Sequence, residues 1–352
     1  MTESVLFAVG LATAVFVGVN VGGSSTGVAF GPATGSDILS MRAASALMAV
    51  FVLVGGLTVG TNVVQTLGHG IVEGSHFTPL ASVGVLLFIG TGILLGNVLK
   101  VSVSTSETAV VAVVGMGAAL GVVNWETVGV IVMWWFVSPI LAFWVSAFLG
   151  RYFYDDLVDV LDLEARDAGR LANVLVVGIG CYMAFSAGAS NVANAVAPLV
   201  GSGQLAMTPA AALGGLAIGA GAFLLGPRTM ETVGNDITDL SLEAALVVEL
   251  ISASIITGLS WIGVPASLAI TTTSSVIGLG WGRASRSVPL SAIVNPDGFT
   301  TADRSSWVEN QLDLYDPSTT KRVIAAWVAS PTVAGVVAFA AFAAAEWAGV
   351  LS

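Results

Sequence analysis

The sequence predicts an all-α polytopic membrane protein made of two copies of one unit in opposite orientations. Interrupted helices or hairpins and about 10–12 membrane segments are expected, given a bilayer core of about 30 Å. Three observations predict this: an extreme composition, an internal repeat, and a one-sided distribution of basic residues. Hydrophobic residues make up 55% of the chain and charged ones 9%, and the mean hydropathy is +0.92. Soluble domains average about 25% charged residues.

The repeat is legible by eye. GGSSTGVAFGPATGS at 22–36 and GASNVANAVAPLVGS at 188–202 share six identical positions at an offset of 166. QTLGHGI at 65–71 falls on ETVGNDI at 231–237 at the same offset. At offset 163, VSVS at 101–104 falls on VPAS at 264–267 and GMG at 115–117 on GLG at 278–280. At offset 192, WFVSP at 135–139 falls on WVASP at 327–331.

Hydropathy gives five apolar segments per copy: 4–35, 41–62, 77–100, 102–120 and 127–149, then 173–203, 208–226, 241–262, 265–282 and 321–348. The first repeat is thus 1–149 and the second 173–282, completed by a final helix in 321–352, with polar loops at 150–172 and 283–320. Five segments per copy force opposite orientations. With the N-terminus outside, all 11 Lys and Arg residues fall on the inner side, as the positive-inside rule requires. Both loops are then cytoplasmic and both termini outside, in the cell membrane. Asp297, Asp303, Glu309, Asp313 and Asp316 make the second loop a surface excursion.

The net charge of −11 and the scarcity of lysine (Lys100 and Lys321) suggest a surface adapted to concentrated salt, a halophile's. They disfavour nucleic acid and anionic lipid as partners. Glu3 and the absence of Lys or Arg in residues 1–20 argue against a cleaved signal peptide. Cys181, the only cysteine, reads as a small core residue.

The stretches at 22–36 and 188–203 are rich in Gly, Ser and Asn inside apolar runs, and are expected to be paired helix breaks near the midplane. KVSVSTSET at 100–108 and VPASLAITTTSS at 264–275 form a second pair. Broken helices expose free N–H groups and a positive dipole end at membrane depth, which bind anions without a buried cation. The candidate anion ligands are Ser24, Ser25, Thr26, Ser190, Asn191 and Asn194 from the first pair. From the second pair they are Ser104, Thr105, Ser106, Ser267, Thr271, Thr272 and Thr273. Against this stands the habit of Ser and Thr to bond their own helix's carbonyls, and of Gly to serve close packing.

Intramembrane acids are costly and usually functional. Glu107, beside Ser106, is the first coupling candidate, and Glu249 the second. Glu231 and Asp236 read as solvated or capping, and His69 and His76 as loop residues. No metal-ligand spacing, nucleophile elbow or phosphate loop is present, so neither a cofactor nor enzyme chemistry is expected.

These residues resemble the PiT family of inorganic phosphate transporters over nearly the whole chain. GASNVANAVAPL at 188–199 is similar to the family's G-A-N-D-V-A-N-A signature. LLGPRTMETVGNDIT at 224–238 resembles the family's next segment, and the breaks at 104–106 and 267–273 its P-V-S-T-T region. The signature's Asn-Asp pair is replaced by Ser24-Ser25 and by Ser190-Asn191. GVAFG at 27–31, VSTSE at 103–107 and FSAGASNVANA at 185–195 are closer to the sulfate-permease branch.

The resemblance implies alternating-access symport of a tetrahedral oxyanion, coupled to H⁺ or Na⁺; Glu107, Asn191 and Asn194 are the candidate ion-coupling residues. A sodium ion, if used, is placed near Asn191. Sulfate is slightly preferred, because loss of two carboxylates removes both repulsion and acceptors for a protonated anion. Na⁺-coupled phosphate symport is the alternative within the family, and a passive anion channel the alternative outside it. A homodimer is left open.

Overall fold

The computed structural model describes residues 2–99, 103–161, 169–227, 230, 241–287 and 317–349. Among these every extended element is helical. Helix α1 spans Thr2–Gly35, α2 Met41–Leu57, α3 Gly60–Gln65, α4 Pro79–Leu99, α5 Thr105–Ala119 and α6 Trp125–Tyr152. The second half follows a short amphipathic helix α7, Tyr154–Leu161. It comprises α8 Gly169–Gly201, α9 Met207–Leu224, α10 Leu242–Trp261, α11 Leu268–Ala284 and α12 Pro317–Trp347. A π-helical turn, Thr66–Gly70, extends α3, and α2 and α3 meet at 60°.

Among the described residues seven helices are long and apolar enough to cross a membrane, or up to eight if the bent pair is one span. The ten apolar segments read from hydropathy each correspond to a helix or bent pair. The number of full spans is smaller because α5 and α11, at 15 and 17 residues, are only about 22–26 Å long. The described part of the 150–172 stretch is mostly helix, in α6, α7 and α8. Residues 288–316, Glu231 and Asp236 lie outside the described residues.

The two halves exchange partners in packing. Helix α1 lies on α9 while its counterpart α8 lies on α2, and α5 lies on α12 while α11 lies on α6. Glycine sets the closeness. A Cβ at Gly22 would overlap the Ile218 carbonyl, and one at Gly188 the Val52 carbonyl. Both residues of the first pair move onto the second on shifting by 166 and exchanging helices. Gly55 on Phe185 and Gly221 on Val19 form a second such set, and Gly115 on Gly335 with Gly278 on Phe143 a third. Helices α1 and α8 also cross antiparallel: Gly10 faces Leu199, and Gly180 faces Ala29 and Phe30.

One expectation is overturned here. The glycine-rich stretches at 22–36 and 188–203 do not interrupt their helices; α1 and α8 run through them. Pro32 and Pro198 each stand three residues before the helix end, where a missing N–H disturbs little of the remaining turn. The small residues instead admit the neighbouring backbones, as is usual between membrane helices. The other two breaks are present. Residues 103–104, directly before α5, are not helical, and 262–267 separate α10 from α11.

Candidate functional site

The two breaks are built alike. Ser104 caps α5 by accepting from the Glu107 N–H at 3.4 Å, and Ser267 caps α11 by accepting from Ile270 N–H at 3.3 Å. Thr108 Oγ1 donates to the Ser104 carbonyl at 2.7 Å, and Thr271 Oγ1 to the Ser267 carbonyl at 2.9 Å. Each cap satisfies one of the orphan first-turn donors. The N–H groups of Thr105 and Ser106, and those of Leu268 and Ala269, have no carbonyl within their own helix. Each short helix therefore points a positive dipole end into the bundle.

The first break meets the middle of α8. Asn191 Oδ1 accepts from Thr105 Oγ1 at 2.7 Å, Ser106 Oγ at 3.3 Å and Asn194 Nδ2 at 3.1 Å. Ser104, Thr105, Ser106, Ser190, Asn191 and Asn194 are all buried. Asn194 Oδ1 is buried without a hydrogen-bond partner. Because Pro198 has no N–H, the Asn194 main-chain carbonyl also lacks its usual helical donor. Asn194 Oδ1 is thus left open beside the two hydroxyls that Asn191 holds, and the carbonyl of the same residue is without its i+4 donor. Ser190 Oγ turns back to the Ala187 carbonyl at 3.4 Å.

The remaining candidates are placed differently. Ser24 and Thr26 bond their own helix, at Val21 and Gly22. Ser25 is buried, with no hydrogen bond to either break. Thr273 bonds the Ala269 carbonyl, while Thr272 Oγ1 is buried without a partner. Among the described residues, side-chain hydrogen bonds therefore join only the first break to α8. Glu107 is half-buried on the first turn of α5, one residue past the hydroxyl pair that Asn191 holds.

Two holding contacts are not obvious from the sequence. Asn97, in the last turns of α4, donates from Nδ2 to the Asn20 carbonyl at 3.0 Å and to its Oδ1 at 3.2 Å. The approach to the first break is thereby pinned to α1, two residues before Gly22. Trp135 Nε1 on α6 donates to the Pro265 carbonyl at 2.9 Å and holds the second break. The available signal for the first contact is an isolated Asn in each of two apolar runs, VNV at 19–21 and GNV at 96–98.

At the far end of α6, Arg286 pairs with Asp155, and Arg283 lies over the Tyr154 ring at 4.3 Å. Arg286 Nε donates to the Arg151 carbonyl at 2.9 Å, and Arg151 to the Ser285 carbonyl. The open cleft lined by Arg151, Tyr152, Asp155, Asp156 and Arg286 is a surface feature of mixed charge, apart from the Asn191 site. Among the described residues no three His, Cys, Asp or Glu side chains converge as a metal site.

An all-helical membrane bundle with two buried, capped helix ends, one of them meeting a polar patch on a long helix, has the build of a transporter. The chain belongs to the phosphate transporter family, which matches it over residues 21–158 and 159–338. It is 32% identical over 270 residues to "Sulfate permease CysP" of Bacillus subtilis (strain 168), covering 76% of this chain and 75% of that one. Its fold matches that of a solved structure, "The sodium-dependent phosphate transporter", with a TM-score of 0.72 and 21% identity over the whole of both chains. At that identity the likeness concerns the fold.

Proposed function

We propose that the protein is a secondary active transporter of a tetrahedral inorganic oxyanion, with sulfate as its substrate, working by alternating access between two inverted halves. One observation carries the reading. The hydroxyls of Thr105 and Ser106, in the first turn of α5, meet at Asn191, where the family signature has a carboxylate. Sulfate is fully deprotonated near neutral pH and only accepts hydrogen bonds. Thr105, Ser106, Asn194 and the α5 N-terminus are donors, and no acid of the signature remains to repel a divalent anion. In this state the hydroxyls are spent on Asn191 Oδ1, so an arriving anion would take them over. The antiparallel crossing of α1 and α8 and the exchanged packing support the inverted arrangement.

A second reading has its own observation. The unpartnered Asn194 Oδ1 and the freed Asn194 carbonyl offer oxygens to a sodium ion, or an acceptor to a protonated phosphate. The test is uptake of labelled sulfate and phosphate by proteoliposomes, with H⁺ and Na⁺ gradients imposed in turn. Sulfate accumulation against its gradient supports the proposal. Phosphate accumulation driven by Na⁺ supports the second reading. Flux indifferent to every cation gradient means a channel and defeats both.

A further inference from the structure

Glu249 stands out on α10. It is 4% exposed, and its Oε1 is buried without a hydrogen-bond partner. At the offset of 163 that relates the two halves here, its place in the other half is taken by Leu86, which is fully buried. Packing at this position is therefore met by an apolar side chain in one half and by a carboxyl in the other. An acid that packing does not require, in a site that leaves it unsatisfied, calls for a functional reason.

The surroundings give Glu249 a route. Helices α8 and α10 run side by side in the same direction. Ser186 Oγ on α8 donates to the Ala253 carbonyl at 3.1 Å. Further along both helices, Gly60 of α3 lies on the Gly188 and Ala189 carbonyls, and Asn62 donates to the Trp261 carbonyl at 2.7 Å. Glu249 is one turn before Ala253, and Asn191 is five residues past Ser186. Along the helix axis the carboxyl and the Asn191 hub are about 13 Å apart, at about 1.5 Å per residue. Ser260, three turns on from Glu249 on the same face, is also buried with an unpartnered hydroxyl. One turn from Glu249, Ser252 Oγ bonds Ser275 Oγ of α11 at 3.2 Å. Buried polar atoms thus recur along α10 on either side of its contacts with α8 and α11.

Among the described residues no cation pairs with Glu249. The titratable groups of the helices packed against α10 are few. They are Arg170, Cys181 and Tyr182 on α8, Glu126, Arg151 and Tyr152 on α6, Arg283 on α11 and Glu3 on α1. On α7 they are Tyr154 and the acids after it, and α3 has none. Glu243 shares α10 itself, in its first turn. Tyr182 is engaged with Ser254, and Arg283 with the Tyr154 ring. A carboxylate buried without a counter-ion must be accompanied by a cation.

We infer that Glu249 is a proton-carrying site, buried on α10 one turn before the α8 contact at Ala253, that takes up one of the protons accompanying a divalent anion through this transporter. The inference rests on the oxyanion-symport reading above and adds a location for a second coupled charge, distinct from Glu107. The carboxylate gains a proton from water on the side where the anion is loaded, and returns it to water where the anion is released. Two protons per divalent anion leave no net charge to move against the membrane potential, whereas one leaves a single negative charge. That charge is opposed by about 2.3 kcal/mol per 100 mV, negative inside.

The experiment measures plateau accumulation of labelled sulfate in proteoliposomes under an imposed pH difference, with and without a potassium diffusion potential. Plateau ratios do not depend on how much protein is active. E249Q is compared with the parent, and E249L serves if the amide variant folds poorly, since Leu86 shows that the equivalent site accepts leucine. The parent is expected to be insensitive to voltage. The variant should accumulate about tenfold less per unit of pH difference, the loss of one coupled proton, and should become sensitive to voltage. An unchanged ratio and unchanged voltage response in a folded variant overturn the inference. A parent that accumulates sulfate with Na⁺ and ignores the pH difference overturns it too, while leaving the symport reading intact. A parent that moves neither sulfate nor phosphate overturns both.

Discussion

Thr105 Oγ1 donates to Asn191 Oδ1 at 2.7 Å, which ties the first residue of α5 to the middle of α8, 86 residues away in the chain. A helix N-terminus from the first half is thereby fixed to the signature stretch of the second. Asn191 serves as the common acceptor for three donors, so its side chain governs how the candidate site is ordered. Replacement by leucine removes the acceptor and leaves buried hydroxyls unpaired, at about 1–3 kcal/mol each. Asn191→Leu and Ser190→Leu should abolish anion uptake while the protein still elutes as a folded species. Normal uptake by well-expressed Asn191→Leu would remove the site from α8.

Asn191→Asp restores the carboxylate of the family signature. The added charge repels a divalent anion but supplies an acceptor for a protonated phosphate and a ligand for sodium. Sulfate uptake should fall, and the ratio of phosphate to sulfate uptake should rise together with sodium dependence. Parallel uptake assays with both anions, with and without Na⁺, check this; equal loss of both anions would argue against charge as the discriminator.

The segments and the repeat are legible in the sequence because both depend on local apolar runs and on matching residues at fixed offsets. The second pair of breaks is legible for the same reason: Ser104 and Ser267 sit at matching offsets and are natural N-caps. The first pair misleads. Gly22 and Gly188 look like breakers in isolation, but the groups they face, the Ile218 and Val52 carbonyls, lie on other helices that no local window includes. The Asn20–Asn97 clasp is not legible because a single asparagine in an apolar run gives no indication of its partner.

Close packing gives a stability test. Gly22→Val and Gly188→Val each force a side chain into a neighbouring backbone and should cost at least about 1–3 kcal/mol, the usual range for overpacking. Gly178 on α8 has no atom within 4 Å of where a Cβ would stand. Gly178→Ala should therefore be neutral or stabilising, by up to about 1 kcal/mol from helix propensity. Thermal unfolding in detergent separates the two classes, and a similar loss at Gly178 would show that the packing argument is wrong.

The one-sided distribution of basic residues predicts the orientation in the membrane. Ser75 is exposed within the short 3₁₀ turn Gly74–His76, and Ser305 lies outside the described residues. With cysteine at one position at a time, an impermeant thiol reagent on intact cells should label position 75 and not 305. Cys181 is buried and gives little background. The reverse pattern would invert the orientation.

The Arg286 guanidinium, chiefly through its hydrogen bond to Asp155, holds that carboxyl below the usual carboxylate range, and Arg283 adds to the effect. A depressed folded value means the contribution is present above the unfolded pKa of about 3.9. It is lost as pH falls through the folded value. Asp155→Asn should lower thermal stability slightly at pH 7, with the difference from the parent vanishing in strong acid and shrinking in high salt. A difference that grows on acidification would contradict the pairing.

Glu107 is the remaining test of coupling. It comes directly after Thr105 and Ser106, whose hydroxyls Asn191 holds, and its own N–H is capped by Ser104. Any anion that takes over those hydroxyls arrives within a turn of this carboxyl, so their charges are linked. A proton on Glu107 removes repulsion toward the anion, and a bound anion favours that proton, so each promotes the other. Glu107→Gln fixes the neutral form. It should keep anion exchange between equal concentrations while accumulating about tenfold less per unit of pH difference, the share of one coupled proton, and the pH dependence of half-saturation should flatten. The competing account makes Glu107 an acid in the first turn of a helix, stabilised by the dipole by about 0.3–1 kcal/mol. On that account Glu107→Gln accumulates substrate nearly as the parent does, with the same pH profile and only a small loss of thermal stability. Measured side by side, the two profiles separate coupling from helix capping.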